Sequence, residues 1–152
     1  MKKVIVIFFL SLFFFNFNLL ADKIEVIDGD TIIVNNEKIR FSGIDTPELK
    51  QTCEKEGKIY YCGLIAKKIL IEKIGKKIPK CISEGKDIYK RTLAECFING
   101  KSLSVFLVRS GYAFAYRKYS KKFVEDEDFA KLNNLGIWSM NFQYPWDYRK
   151  SF

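Results

Sequence analysis

The sequence predicts an α+β domain that is mainly β: a small five-stranded barrel, closed or partly open, carrying three helices. Two observations lead to it. Five short runs rich in Val, Ile, Thr, Tyr and Phe are set off by turn pairs such as Asp28-Gly29, Asn35-Asn36 and Asn99-Gly100. Among them lie three longer segments with apolar residues at helical spacing, two of them ended by Gly111 and Gly136.

Residues 23–27 and 31–35 read as strands split by Asp28-Gly29, a hairpin signal, and Asn35-Asn36 turns the chain into a third strand over 37–44. Thr31 and Ile33, then Ile39 and Phe41, alternate as half-buried strands do. Pro47 cannot donate to a ladder and holds Thr46 extended, so the chain leaves the sheet there with its carbonyls free. Residues 57–73 read as an amphipathic helix, with Leu64, Ile65 and Ile69 on the apolar side and Lys67, Lys68 and Lys73 on a solvated face. Strands over 77–83 and 92–98 follow, joined by a loop over 85–91. Asn99-Gly100 leads into a helix over 102–110, and an aromatic, basic connector over 112–119 precedes a last helix over 122–135 whose Asp126 to Asp128 form a solvated acidic face. The run 138–148 contains Phe142, Tyr144, Pro145 and Trp146 and is expected to pack on the domain rather than stack on bases.

Met1-Lys2-Lys3, the apolar run from Val4 to Phe15 and then Leu19-Leu20-Ala21 have the layout of a cleaved secretory signal over residues 1–21. Stretched to about 18 residues, the run approaches the lower limit for a membrane span, but Asn16 and Asn18 interrupt it. Cleavage would leave residues 22–152 as one exported domain, periplasmic or secreted, and the formal charge of +8 would fall to +6 with the loss of Lys2 and Lys3. A basic exported protein attracts polyanions, nucleic acid or anionic lipid.

Cys53, Cys62, Cys81 and Cys96 form an even set, which favours two disulfides in an oxidising compartment. Of the three possible pairings, Cys53 with Cys62 would close a polar loop, and Cys81 with Cys96 would cross-link two strands. Zinc is disfavoured: there is no C-x-x-C spacing and no histidine. The absence of histidine also removes Ser-His-Asp and Cys-His hydrolases and any histidine-based nuclease. Chemistry is left to carboxylates, guanidiniums and hydroxyls, and metal binding to oxygen ligands that suit calcium or magnesium.

Those groups are present in a suggestive pattern. Asp28-Gly29-Asp30-Thr31 and Asp45-Thr46-Pro47-Glu48 place acids on either side of Arg40, and Arg91 closes the later stretch Asp87-Ile88-Tyr89-Lys90-Arg91. Carboxylates can hold a hard dication, a further carboxylate can take a proton from water, and guanidiniums can grip a phosphate by paired hydrogen bonds. Together these are the requirements for hydrolysing a phosphodiester.

Val26-Ile27-Asp28-Gly29-Asp30-Thr31, Ile39-Arg40-Phe41, Gly43-Ile44-Asp45-Thr46-Pro47-Glu48, Tyr89-Lys90-Arg91-Thr92-Leu93-Ala94 and Leu107-Val108-Arg109-Ser110-Gly111 occur in that order. Over about residues 24–138 the chain resembles the staphylococcal nuclease (thermonuclease) family. The resemblance implies a five-stranded OB-fold barrel with three helices, acting on single-stranded DNA and on RNA with Ca2+ as cofactor, as a monomer with no obligate protein partner. It implies Asp30 and Asp45 as calcium carboxylates, Thr46 as a carbonyl ligand, Arg40 and Arg91 as phosphate-gripping arginines, Glu48 as general base and Tyr89 as a contact to the terminal nucleotide. Either Tyr116 or Tyr119 would occupy the place of a further nucleotide-binding tyrosine. The family's cleavage leaves 3′-phosphate ends. Ile88 departs from the pattern by replacing a lysine, and the cysteines are additions. A non-catalytic OB-fold nucleic-acid-binding module of the cell envelope is the competing expectation, and it has no use for a general base at Glu48.

Overall fold

The structure, a computed structural model, describes residues 23–151. The expected leader over 1–21 lies outside them. No helix among the described residues is long and apolar enough to cross a membrane.

Three turns of one kind organise the β structure. Asn35-Asn36 (φ 49° and 68°), Glu56-Gly57 (52° and 74°) and Asn99-Gly100 (50° and 74°) each put two successive residues in the left-handed region. That is the backbone of a type I′ hairpin turn, whose twist matches that of the strands it joins. The first joins β2 (Thr31–Val34) to β3 (Glu37–Phe41), which is also preceded by β1 (Ile24–Val26) on the far side of β2. After β4 (Ile44–Asp45), the second joins β5 (Thr52–Lys55) to β6 (Lys58–Tyr61). After β7 (Lys80–Lys86), the third joins β8 (Thr92–Ile98) to β9 (Lys101–Ser102).

The main sheet runs β1-β2-β3-β8-β7, with β3 and β8 parallel and the other neighbours antiparallel. This is the α+β OB fold. Among the described residues no ladder joins β1 to β7, so the barrel is partly open. α1 (Cys62–Ile74), α2 (Leu103–Arg109) and α3 (Val124–Leu132) are the three expected helices, and a one-turn α4 (Pro145–Tyr148) is added by the aromatic run. Ser102 starts α2 by accepting a hydrogen bond from the Val105 amide at 3.2 Å.

Several expected boundaries are corrected. The third strand stops at Phe41; Gly43 (φ 71°) turns the chain into β4, which pairs with β10 (Phe114–Ala115). The polar loop expected after Glu48, and the start of the helix expected at 57, are in fact the β5–β6 hairpin, so α1 begins at Cys62. Lys77 to Pro79 lie outside β7, which extends instead to Lys86 with a bulge between Ser83 and Gly85. The Asp28-Gly29 pair is part of a wider loop, with the Ile27 amide donating to the Thr31 carbonyl at 2.9 Å.

Both cross-links form as paired: Cys53–Cys62 closes the β5–β6 hairpin onto α1, and Cys81–Cys96 joins register partners on β7 and β8. Ile32, Phe41, Leu70, Leu103, Leu107 and Val108 fill the main core beneath the sheet. A second core surrounds Phe114, whose ring meets Trp138, Phe142, Tyr144 and Trp146 at centroid distances of 5.3, 5.1, 5.2 and 6.2 Å. The aromatic run therefore packs on the domain, as expected, and it carries residues 144–151 back to the end of β4.

Candidate active site

Strand alternation delivers Arg40. Ile39 and Phe41 point into the core, so Arg40 emerges on the opposite face of β3, opposite Thr31 and next to Asp30. Its Nη1 donates to Asp30 Oδ1, and its Nη2 donates to Asp45 Oδ1 at 2.9 Å and to the Ile44 carbonyl at 3.4 Å. Carboxylates from two separate acidic clusters thus meet on the two terminal nitrogens of a single guanidinium. Both are almost fully buried, with side chains 3% and 1% exposed.

The loops on either side are held tightly. The Thr46 amide donates to Asp30 Oδ2 at 3.1 Å and the Thr31 hydroxyl to Asp30 Oδ1 at 3.1 Å, while the Asp30 amide donates to Asp28 Oδ1 at 3.0 Å. A Cβ on Gly29 would fall 2.8 Å from Thr46 Oγ1 and 3.0 Å from the Ala66 Cβ, so the absence of a side chain there lets the two acidic loops touch. Burial pushes the Asp30 carboxyl up to about 7; the neighbouring Asp28 and Asp45 charges push the same way, and Arg40 and the Thr31 hydroxyl oppose them.

Glu48 follows Pro47 and is held by Gln51, a buried side chain. The Glu48 amide donates to Gln51 Oε1 at 3.1 Å, the Gln51 amide donates to the Glu48 carbonyl at 2.7 Å, and Gln51 Nε2 donates to the Gln143 carbonyl at 2.6 Å. A second guanidinium, Arg149, joins Glu48 to the buried pair. Its Nη2 donates to Asp45 Oδ2 at 2.7 Å, and its Nη1 donates to Asp45 Oδ1 at 3.2 Å and to Glu48 Oε1 at 2.8 Å. Its partial burial would lower its pKa, but the hydrogen bonds to Asp45 and Glu48 outweigh that and raise it.

The remaining expected residues lie around this centre. Arg91 is two residues before Leu93, the register partner of Arg40, and is not joined to the carboxylates: its Nε donates to Asp87 Oδ2 at 2.7 Å. Tyr89 is largely exposed, with its ring 5.6 Å from the Arg91 guanidinium. The Tyr116 amide donates to the Gly43 carbonyl at 2.9 Å, which ties that tyrosine to the turn before Asp45, and its ring stacks on Trp146 at 5.6 Å. Tyr119 meets Tyr116 edge-on at 4.9 Å and is exposed. Tyr116, Arg117, Lys118, Trp146 and Lys150 line a cleft of about 360 Å³. A larger cleft of about 530 Å³, beside Glu54 and Trp138, contains none of the clustered carboxylates.

The chemistry of the donors is compatible with a hard dication. Among the described residues no group of three acidic side chains is placed to hold a metal, so a site here would consist of the Asp30 and Asp45 carboxylates and the Thr46 carbonyl, completed by water. Burial, and after it the neighbouring Asp28 and Asp45 charges, disfavour the ionised form of Asp30, and a cation would relieve that penalty.

Comparison with known proteins gives this arrangement its context. The sequence profile described as staphylococcal nuclease homologue matches residues 38–140, more than half of the chain. The chain belongs to that family. Among similar proteins, the succinoglycan biosynthesis protein ExoI of Rhizobium meliloti is 33% identical over 118 residues, covering 75% of this chain and 62% of that protein. An uncharacterized endonuclease of Haemophilus influenzae is 28% identical over 125 residues, 78% of this chain and 65% of its own. The staphylococcal-like nuclease CAN1 of Arabidopsis thaliana is 29% identical over 126 residues, 81% of this chain and 36% of its own. The chain therefore spans less than two thirds of the length of these relatives.

In this staphylococcal nuclease homologue, sequence reasoning picked out Asp30, Arg40, Asp45 and Glu48, and the fold brings them into one hydrogen-bonded network. It missed Gln51 and Arg149. Gln51 carried one legible signal, a polar residue three positions after Glu48, the spacing at which a side chain can reach back to an amide. Arg149 carried none, because its contacts lie 101 and 104 residues away in the chain.

Proposed function

We propose that this protein is an exported, calcium-dependent nuclease that hydrolyses phosphodiester bonds of single-stranded DNA and of RNA. The observation that carries the reading is the convergence of Asp30 and Asp45 on Arg40, with Glu48 joined to the same network, in a staphylococcal nuclease homologue.

In this reading Asp30, Asp45 and the Thr46 carbonyl hold calcium, which when bound supplies positive charge to the phosphate and orients water. Arg40 is held by the two carboxylates and still has N–H groups to offer a phosphate oxygen. Arg91, released from or sharing Asp87, would offer a second fork, so that the two guanidiniums meet the negative charge gained in the transition state. Glu48 accepts the proton of the attacking water. In-line attack then expels the 5′ oxygen and leaves a 3′-phosphate. Tyr89, and either Tyr116 or Tyr119, would meet bases or sugars, a role that the exposure of Tyr89 and Tyr119 supports, and Arg117, Lys118 and Lys150 give the cleft beside Tyr116 the charge a polyanion seeks.

Export fits two disulfides, which persist in oxidising compartments. It also fits calcium, which is plentiful outside cells. A monomer suffices, since every named group comes from one chain.

The test is incubation of the protein with labelled single-stranded DNA and RNA, in calcium or in chelator, followed by analysis of the ends. Calcium-dependent products ending in 3′-phosphate are expected. Products ending in 3′-hydroxyl would contradict the stated direction of attack, and binding without cleavage would make the chain a nucleic-acid-binding OB module.

A further inference from the structure

Arg149 lies outside the residues 38–140 matched by the family profile, yet it makes three hydrogen bonds to the carboxylates of the candidate site, against two from Arg40. Its two terminal nitrogens cover both oxygens of Asp45 and one of Glu48. With Arg40 on Asp45 Oδ1 as well, both Asp45 oxygens face guanidinium donors. Asp45 is 1% exposed, so bulk water cannot take over this role, and the ionised carboxylate depends on cationic partners.

The segment that aims Arg149 is firmly seated. Trp146 stacks between Tyr144 at 4.6 Å and Tyr116 at 5.6 Å, Pro145 is buried at the first turn of α4, and the Gln143 carbonyl accepts from Gln51. The Arg149 side chain itself is 39% exposed. It can swing into solvent about its own flexible stem while Trp146 and Tyr144 stay packed.

A dication shared by Asp30 and Asp45 would lie across a single carboxylate from the Arg149 charge, and like charges so close in a poorly solvated site repel strongly. We infer that Arg149 is a tethered counter-ion: it neutralises Asp45 and Glu48 while the site holds no metal, and entry of the dication displaces it, freeing Glu48 to take a proton. The inference rests on the calcium-nuclease reading and adds to it a device that keeps the base capped at low calcium.

The test is calorimetric titration of calcium chloride into the full chain at constant ionic strength, for the parent, Arg149→Gln, Arg149→Lys and Lys150→Gln. Lys150→Gln removes the same charge one position away, from a side chain paired with Asp147 rather than with the cluster. The expected calcium Kd falls by about tenfold or more in Arg149→Gln, falls less in Arg149→Lys and changes by less than about twofold in Lys150→Gln. The melting temperature of Arg149→Gln is expected below the parent's in chelator and level with it in saturating calcium, which separates loss of a counter-ion from general misfolding. If the parent binds calcium and cleaves DNA but Arg149→Gln binds calcium no more tightly, this inference fails and the nuclease reading stands. A parent that binds no calcium overturns both.

Discussion

Gly63 lies directly against the carbonyl of Glu48: a Cβ at position 63 would fall 1.9 Å from that oxygen and 2.4 Å from its carbon. The first turn of α1 is thus the floor on which the candidate base rests, and the disulfide of the preceding residue, Cys62, to Cys53 holds that floor in place. Gly63→Ala must move the Glu48 loop by more than an ångström. Misplacement on that scale can cost about a hundredfold in rate, whereas the three atoms nearest to such a Cβ belong to Glu48 and Leu49 rather than to Asp30, Asp45 or Thr46. Cleavage should therefore fall at least about a hundredfold while calcium affinity changes by less than about threefold. Equal losses in both would show that position 63 supports the whole site rather than the base.

Arg40 neutralises two buried carboxylates at once. Removing one partner of a buried pair leaves charge without compensation, at a cost of about 3–5 kcal/mol. Arg40→Met should destabilise the protein by an amount of that order in chelator and by clearly less in saturating calcium, since a dication can replace the lost charge. Urea unfolding in both conditions measures the difference. The same loss with and without calcium would mean that Asp30 and Asp45 do not share a cation.

Asp30 supplies a pH dependence. Its ordinary value is 3.8 and burial raises it to about 7, so between roughly pH 4 and 7 the folded protein holds a proton that the unfolded chain has released. The contribution of this group to stability is complete below about pH 4 and declines as pH rises through about 7. In chelator, the urea midpoint of the parent should drop across that interval more than that of Asp30→Asn. Calcium, which needs the ionised carboxylate, should bind more tightly as pH rises through 7. A parent and a variant with parallel pH profiles would contradict the assignment.

The disulfides close loops of 9 and 15 residues, and restriction of the unfolded chain by loops of that size is worth about 2–3 kcal/mol each. Replacing Cys81 and Cys96 together by alanine should lower stability by about that amount and leave activity at permissive temperature close to the parent's. Replacing Cys53 and Cys62 should also reduce activity, because that pair anchors the turn of α1 beneath Glu48. Activity losses of the same size in both pairs would argue against that anchoring role.

Much of the fold was legible because its signals are local. Asn35-Asn36 and Asn99-Gly100 adopt the left-handed pair their residue types favour, and the alternation of Ile39, Arg40 and Phe41 correctly separates core from site. Glu56-Gly57 makes the same turn with a less typical first residue, so the sequence signals loop and helix where the β5–β6 hairpin forms; Ile59 and Tyr61, apolar yet exposed, fit either period. Asp28-Gly29 misled in the opposite direction, since Gly29 is needed for contact with Thr46 rather than for a two-residue turn. Of the site, the acidic clusters and Arg40 could be read from their spacing. Gly63 and Arg149 could not, and Gln51 only in part, because their importance comes from contacts with segments apart in the chain: Gly63 with Glu48, Gln51 with Gln143 and Arg149 with Asp45.

In the proposed reaction Glu48 draws a proton from water beside a cation held by Asp30 and Asp45. The most direct measurement is the single-turnover rate of cleavage of labelled single-stranded DNA in saturating calcium, for the parent and for Glu48→Gln, with calcium binding measured on the same samples. Cleavage by the parent that chelator abolishes is expected, with a loss of about 10²–10⁴ in Glu48→Gln while calcium is still bound. A Glu48→Gln protein that cuts as fast as the parent would contradict this role of Glu48.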